Sequence, residues 1–175
     1  MKRIILDNQV KTRVNGFTLI EIMVSIVVIS IGLLGLSKLQ LTSLRYNQDA
    51  YQRSIATQLA YDIGNRMRAN KSAVLSGAYN LPTATRVSSC LSTSACTPAQ
   101  MASNDVYEWL SRSSPTSVAN QLPNSSATIC IDSTPEDGVP GTHACDGLGS
   151  QYAIKIWWSN DDGATNFRFV TSIQV

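Results

Sequence analysis

The sequence predicts an α+β protein: one long N-terminal helix, its first half in a membrane, on a small antiparallel β-sheet head with disulfides. Three observations carry this. An almost unbroken apolar run starts at Phe17 and lasts about twenty residues, enough for a helix to span the roughly 30 Å hydrocarbon core of a bilayer. No proline occurs between Met1 and Pro82, and apolar residues recur at helical spacing well past the run. Near the C-terminus, apolar and polar residues alternate on either side of an Asn/Asp/Gly turn, the pattern of half-buried strands.

The apolar run holds thirteen Phe, Leu, Ile or Val residues between Phe17 and Leu36. At about −0.3 to −0.6 kcal/mol each, they favour insertion by roughly 4 to 8 kcal/mol. Glu21 opposes it by at most about 2.5–3.5 kcal/mol, the mid-bilayer cost of a charge, and it lies nearer the edge. Insertion wins with the carboxylate present. Lys2, Arg3, Lys11 and Arg13 precede the run against a single Asp7, so the N-terminus is expected in the cytoplasm and the rest outside. A cleaved secretory signal is the competing reading, but the run is long for one and lacks a small-x-small site at its end.

Helix is expected to continue to about residue 71. Leu44, Tyr51, Ile55, Leu59, Ile63 and Met67 form a stripe widened by Ala56 and Ala60, with Arg45, Gln48, Asp49, Arg53 and Asp62 off it. Arg66, Arg68 and Lys71 at its end are expected to complement the macrodipole. Gly32 and Gly35 interrupt the apolar run at about 1 kcal/mol each relative to alanine. Either they permit close helix approach or they mark a place where the helix can unwind.

An ionisable group in an apolar helix needs a partner. Here Glu21 closes the string G-F-T-L-I-E that begins at Gly16. String, basic leader and apolar run together resemble the N-terminal signal of type IV pilins and the related pseudopilins. That resemblance implies the type IV pilin fold and cleavage between Gly16 and Phe17 by a membrane-embedded prepilin peptidase, which then methylates Phe17. It implies that Glu21 pairs with the N-terminal ammonium of a neighbouring subunit, and it favours unwinding as the role of Gly32 and Gly35. The string A-Y-D-I-G-N-R-M-R-A-N (60–70) and G-L-L-G-L with a following L-Q (32–40) resemble the PilV family of minor pilins. The implied partners are other minor pilins, the major pilin, the peptidase, the inner membrane and the pilus assembly platform, with a periplasmic head that can pass to the pilus. Expected boundaries are a leader at 1–16, the long helix at 17–71 with 17–36 in the membrane, and a head at 72–175.

Four cysteines, Cys90, Cys96, Cys130 and Cys145, lie on the side expected to be oxidising, and an even count there reads as disulfides. Three connectivities are possible; the local pairs Cys90–Cys96 and Cys130–Cys145 are expected because each closes a short loop of turn-forming residues. A metal site is disfavoured, since no C-x-x-C pair exists and His143 is the single histidine. Thr97, Pro98 and Gln100 form a capping box that starts a helix expected to run to about Arg112, with Met101, Val106, Trp109 and Leu110 as contacts. Strands are expected at 127–132, 151–159 and 166–175. In the second, Tyr152, Ile154, Ile156 and Trp158 share one face and Ala153, Lys155 and Trp157 the other; in the third, Phe167, Phe169, Thr171 and Ile173 lie together. The loop 160–165, with Asp161, Asp162 and Gly163, reads as a hairpin turn rather than a calcium loop, because an EF-hand's leading Asp and distal Glu are missing. Segment 133–150 is expected to be a disulfide-closed surface loop.

The chain is formally +2, but residues 1–16 hold a net +3, leaving −1 on the remainder. The basic balance therefore belongs to the leader and gives no support for nucleic-acid binding. No nucleophile motif, phosphate-cradling glycine loop or second histidine appears, so no catalytic residue or cofactor is expected. A minor pilin, a minor pseudopilin of a type II secretion system and a stand-alone anchored envelope protein are the three readings, in that order.

Overall fold

The computed structural model describes residues 16–92, 95–161 and 163–174; the leader up to residue 15 and Asp162 of the hairpin loop lie outside them. Helix α1 is Leu19–Ala69, followed by α2 (Lys71–Leu75), a 3-10 turn (Ser88–Leu91), α3 (Pro98–Leu110), α4 (Val118–Gln121) and strands β1 (Ser126–Ile131), β2 (Tyr152–Trp158) and β3 (Phe167–Ile173). The chain divides into two units, Met1–Tyr46 and Asn47–Val175, each described by itself.

In the second unit the sheet is antiparallel in the order β1-β2-β3. Ile154 stands opposite Ile129 on β1 and Thr171 on β3, while Ile156 faces Ala127 and Phe169. The α1 residues Ala56, Leu59, Ala60, Ile63 and Met67 share one core with Val106, Trp109, Ile129, Ile154, Ile156 and Trp158. Two indoles tie the layers through their N–H groups: Trp109 donates to the Leu59 carbonyl (2.9 Å) and Trp158 to Gln52 Oε1 (2.9 Å). The α3 capping box is formed, with Thr97 Oγ1 accepting from Gln100 N and Gln100 Oε1 from Thr97 N. Asp161 Oδ1 accepts from Thr165 N and from the Ser159 hydroxyl, which fastens the β2–β3 turn.

Several expected contacts fall elsewhere. Leu44 and Tyr51 are exposed, and the buried face of α1 begins one position later, at Gln52. A strict four-residue step drifts off a 3.6-residue helix, so extrapolating Ile55 backwards reaches solvent. Met101 is exposed because α3 presents Ala102, Asp105, Val106 and Trp109 inward instead. The helix stops at Leu110, short of Arg112. Segment 133–150 is not merely a surface loop. It folds over the face of the sheet away from α1, so that every residue of β2 is buried.

Candidate functional site

The first unit contains the positions singled out for processing and assembly. Gly16 and Phe17 precede α1, and Phe17 is 78% exposed. Thr18 caps the helix: its Oγ1 and its carbonyl both accept from Glu21 N, at 3.4 and 3.1 Å. Glu21 thus occupies the first turn, where the positive end of the helix dipole favours a carboxylate. Among the described residues its carboxylate has no hydrogen bond or ion pair. Every large apolar side chain from Phe17 to Leu36 is more than half exposed, and α1 is long and apolar enough to cross a membrane.

The hydroxyls of this segment are satisfied internally. Ser25, Ser30, Ser37 and Thr42 donate to the carbonyls of Glu21, Ile26, Leu33 and Lys38, at 2.7, 2.7, 2.9 and 3.0 Å. The sequence reading missed this, although a hydroxyl in an apolar helix always has the carbonyl four residues back within reach. A Cβ built on Gly32 or Gly35 would meet nothing within 4 Å, and α1 passes both without a break. Neither glycine is required by packing within this chain.

The head holds two charged clusters. In the first, Arg66, in the last turn of α1 where a cation suits the helix dipole, bonds Asp62 (3.1 Å), Glu108 (2.9 Å) and Asp105 (3.4 Å) and so joins α1 to α3. Burial works against its guanidinium, and the hydrogen bond it donates to Glu108, with the nearby carboxylates, reverses this, so its pKa is raised. The Tyr79 hydroxyl donates to Asp105 Oδ2 at 2.6 Å; burial first, then that carboxylate, pushes the phenol well above its ordinary value.

In the second cluster Lys155, fully buried on β2, points into the 133–150 loop. Its Nζ lies 2.5 Å from Asp132 Oδ2 and 2.8 Å from Asp137 Oδ1, and it donates to the carbonyls of His143 (3.0 Å) and Asp137 (3.3 Å). Burial alone would lower its pKa; the bonds to Asp132 and Asp137 raise it. His143 stacks on Trp157 with centroids 5.2 Å apart, and burial with the Lys155 charge lowers its pKa, keeping the imidazole neutral at pH 7. The disulfides are Cys90–Cys96 and Cys130–Cys145, so the sulfurs beside Asp132 are not available to a metal. Lys155 fills the oxygen cage that a cation would otherwise need. His143 Nε2 also lies 3.5 Å from Ser126 Oγ, at the long limit of a hydrogen bond, and among the described residues no carboxylate bonds the imidazole to orient it; the lysine is held charged.

An exposed apolar helix bearing one carboxylate, with a disulfide-bonded head on a three-stranded antiparallel sheet, defines the type IV pilin fold. The comparisons agree: residues 11–37 match the prokaryotic N-terminal methylation motif, and residues 38–107 match the family described as Type IV pilin Tt1218. The chain has the type IV pilin fold, and these two stretches support a pilin subunit. No curated protein and no solved structure gives a match.

Proposed function

We propose that this chain is a minor type IV pilin, a non-catalytic subunit that helps initiate or modify the pilus. The observation that carries the reading is Glu21, a carboxylate without a partner among the described residues, near the end of an otherwise apolar exposed helix that the methylation motif overlaps. Prepilin peptidase cuts after Gly16 and methylates Phe17, leaving an ammonium four positions from the Glu21 carboxylate. Two opposite charges, each costly in lipid, offset one another when the ammonium of one subunit meets the Glu21 of its neighbour. The helix sits in the inner membrane with its N-terminus cytoplasmic and the head periplasmic, and it joins other minor pilins and the major pilin on the assembly platform. Gly32 and Gly35 let the helix stretch there. The strings at 60–70 and 32–40, which resemble PilV, support a minor rather than a major role.

The test is Glu21→Ala in the full chain. It should insert and be cleaved normally yet be lost from sheared pili, and unchanged recovery would count against the reading. Mass spectrometry should find the mature chain starting at methylated Phe17; a start beyond Leu36 would overturn it. In sheared pili the chain should be far less abundant than the main subunit.

A further inference from the structure

The two edges of the head sheet are treated differently. The outer edge of β1 is closed: Leu81 N donates to the Ile129 carbonyl (2.9 Å), Ile131 N donates to Asn80 Oδ1 (2.9 Å), and Gly147 N donates to the Ile131 carbonyl (3.0 Å). The outer edge of β3 has no such cover. Among the described residues, no group other than those of β2 bonds the main chain of Phe167–Ile173. Alternate residues of a seven-residue strand therefore present N–H and C=O outward, a template for another strand. The usual guards are missing, with no proline or lysine in the strand, and its one charge, Arg168, is tied to Glu136 at 3.2 Å.

Beside this edge runs a groove of about 230 Å³ between β3 and α1, lined by Thr57, Tyr61, Gly64, Arg68, Phe169 and Thr171 among others. An edge strand facing a helix across a groove is the geometry in which extended peptides add to a sheet. The groove's one charged residue is Arg68. Its Nη1 donates to Asn65 (2.8 Å), and no carboxylate among the described residues pairs with it.

We propose that β3 takes up, as a fourth strand, an extended carboxylate-bearing segment of a different pilin-class subunit, seated between β3 and α1 with its carboxylate on Arg68. A second copy of this chain fits poorly. Its comparable open edge is its own β3, which brings Arg168 and no carboxylate to a cationic groove. The inference rests on the pilin reading, because side-by-side packing of anchored subunits is what brings a second head within reach.

The test uses the full chain, assembled in cells that make pili, with a benzophenone amino acid in place of Tyr61, which is 64% exposed in the groove. Irradiation should link it to an acidic, extended segment of another pilin-class subunit, mapped by peptide mass spectrometry. Arg68→Glu should cut the adduct at least fivefold and Arg68→Lys should largely restore it. Amide exchange over 167–173 should slow at least tenfold between the detergent-solubilised chain and the assembled state. Recovery in pili with no adduct, an adduct to a second copy, or unchanged β3 exchange would overturn the inference and leave the pilin reading standing. Absence of the chain from pili would overturn both.

Discussion

Replacing Lys155 by methionine should destabilise the head by about 3–5 kcal/mol, the cost of breaking a buried ion pair from one side. The structure shows why the figure belongs at that end of the scale for single substitutions. Lys155 and Asp132 are both fully buried, with Nζ and Oδ2 2.5 Å apart, and without the ammonium Asp132 keeps the donor Thr134 N, 3.1 Å from its Oδ1. Two loop carbonyls, of Asp137 and His143, lose their donor in the same step. Asp137 itself adds little, since its side chain is 46% exposed and screened by solvent. The unfolding equilibrium should move by roughly 10²- to 10⁴-fold. Urea titration of the full chain in detergent, followed by tryptophan fluorescence, reads this directly, because Trp109, Trp157 and Trp158 are all buried in the head. The double variant Lys155→Met/Asp132→Leu should regain most of the loss, since a buried ion pair can often be exchanged for apolar packing. A loss below about 1 kcal/mol for Lys155→Met, or a double variant no more stable than the single one, would refute the reasoning.

Other outcomes can be checked on the same material. Tyr79→Phe should cost about 1–2 kcal/mol by removing a donor to Asp105, less than full orphaning because Arg66 stays on that carboxylate. In an alkaline absorbance titration, half-buried Tyr107, lowered by its hydrogen bonds to Ser113 and Ser111, should ionise before Tyr152 and Tyr79, both raised by burial. A raised phenol stabilises the fold below pH 10 and loses that contribution as pH climbs through its folded value, so Tyr79 should ionise together with unfolding; early ionisation would contradict its burial. On the acid side, the hydrogen bond from Ser133 first, then the backbone of Leu148, lowers Asp146 to about 2, and that from Lys155 lowers Asp137. Their stabilisation is present above pH 3.8 and is lost as pH falls towards 2, so the urea midpoint should fall through that window. Removing the Cys130–Cys145 bond should cost about 3 kcal/mol, and removing Cys90–Cys96 less, since their sequence separations are 15 and 6.

What could be read from the sequence was whatever depends on near neighbours. The apolar run, the capping box at Thr97, the hairpin around Asp161 and the alternation of β2 are local patterns, and the structure has each of them. Both disulfides follow the short-loop expectation. Lys155 was a different matter. Alternation puts it on the second face of β2, but its burial depends on the fold of residues 132–143 over that face, and nothing near position 155 encodes that. Arg66 is a helix-end cation as expected, but its carboxylate partners Asp105 and Glu108 lie some forty residues away and are not legible from its neighbours. Gln52 is polar and outside the apolar stripe, yet it is buried as the acceptor for Trp158, a pairing 106 residues apart. These three share one cause, polar groups whose partners are distant in the chain; the exposed Leu44, Tyr51 and Met101 and the back-bonded hydroxyls are misses of another kind.

The back-bonded hydroxyls of the first unit have a further effect on how this helix is recognised. With Ser25 and Ser30 each turned onto a carbonyl of its own chain, the segment offers a passing apolar helix almost no polar handle except one acid near its N-terminal end. Contact with unrelated membrane spans then goes unrewarded, and selectivity comes down to whether the newcomer carries a positive charge at matching depth. On the proposed function, a freshly trimmed chain terminus would supply such a charge, and proteolysis would act as the licence to polymerise.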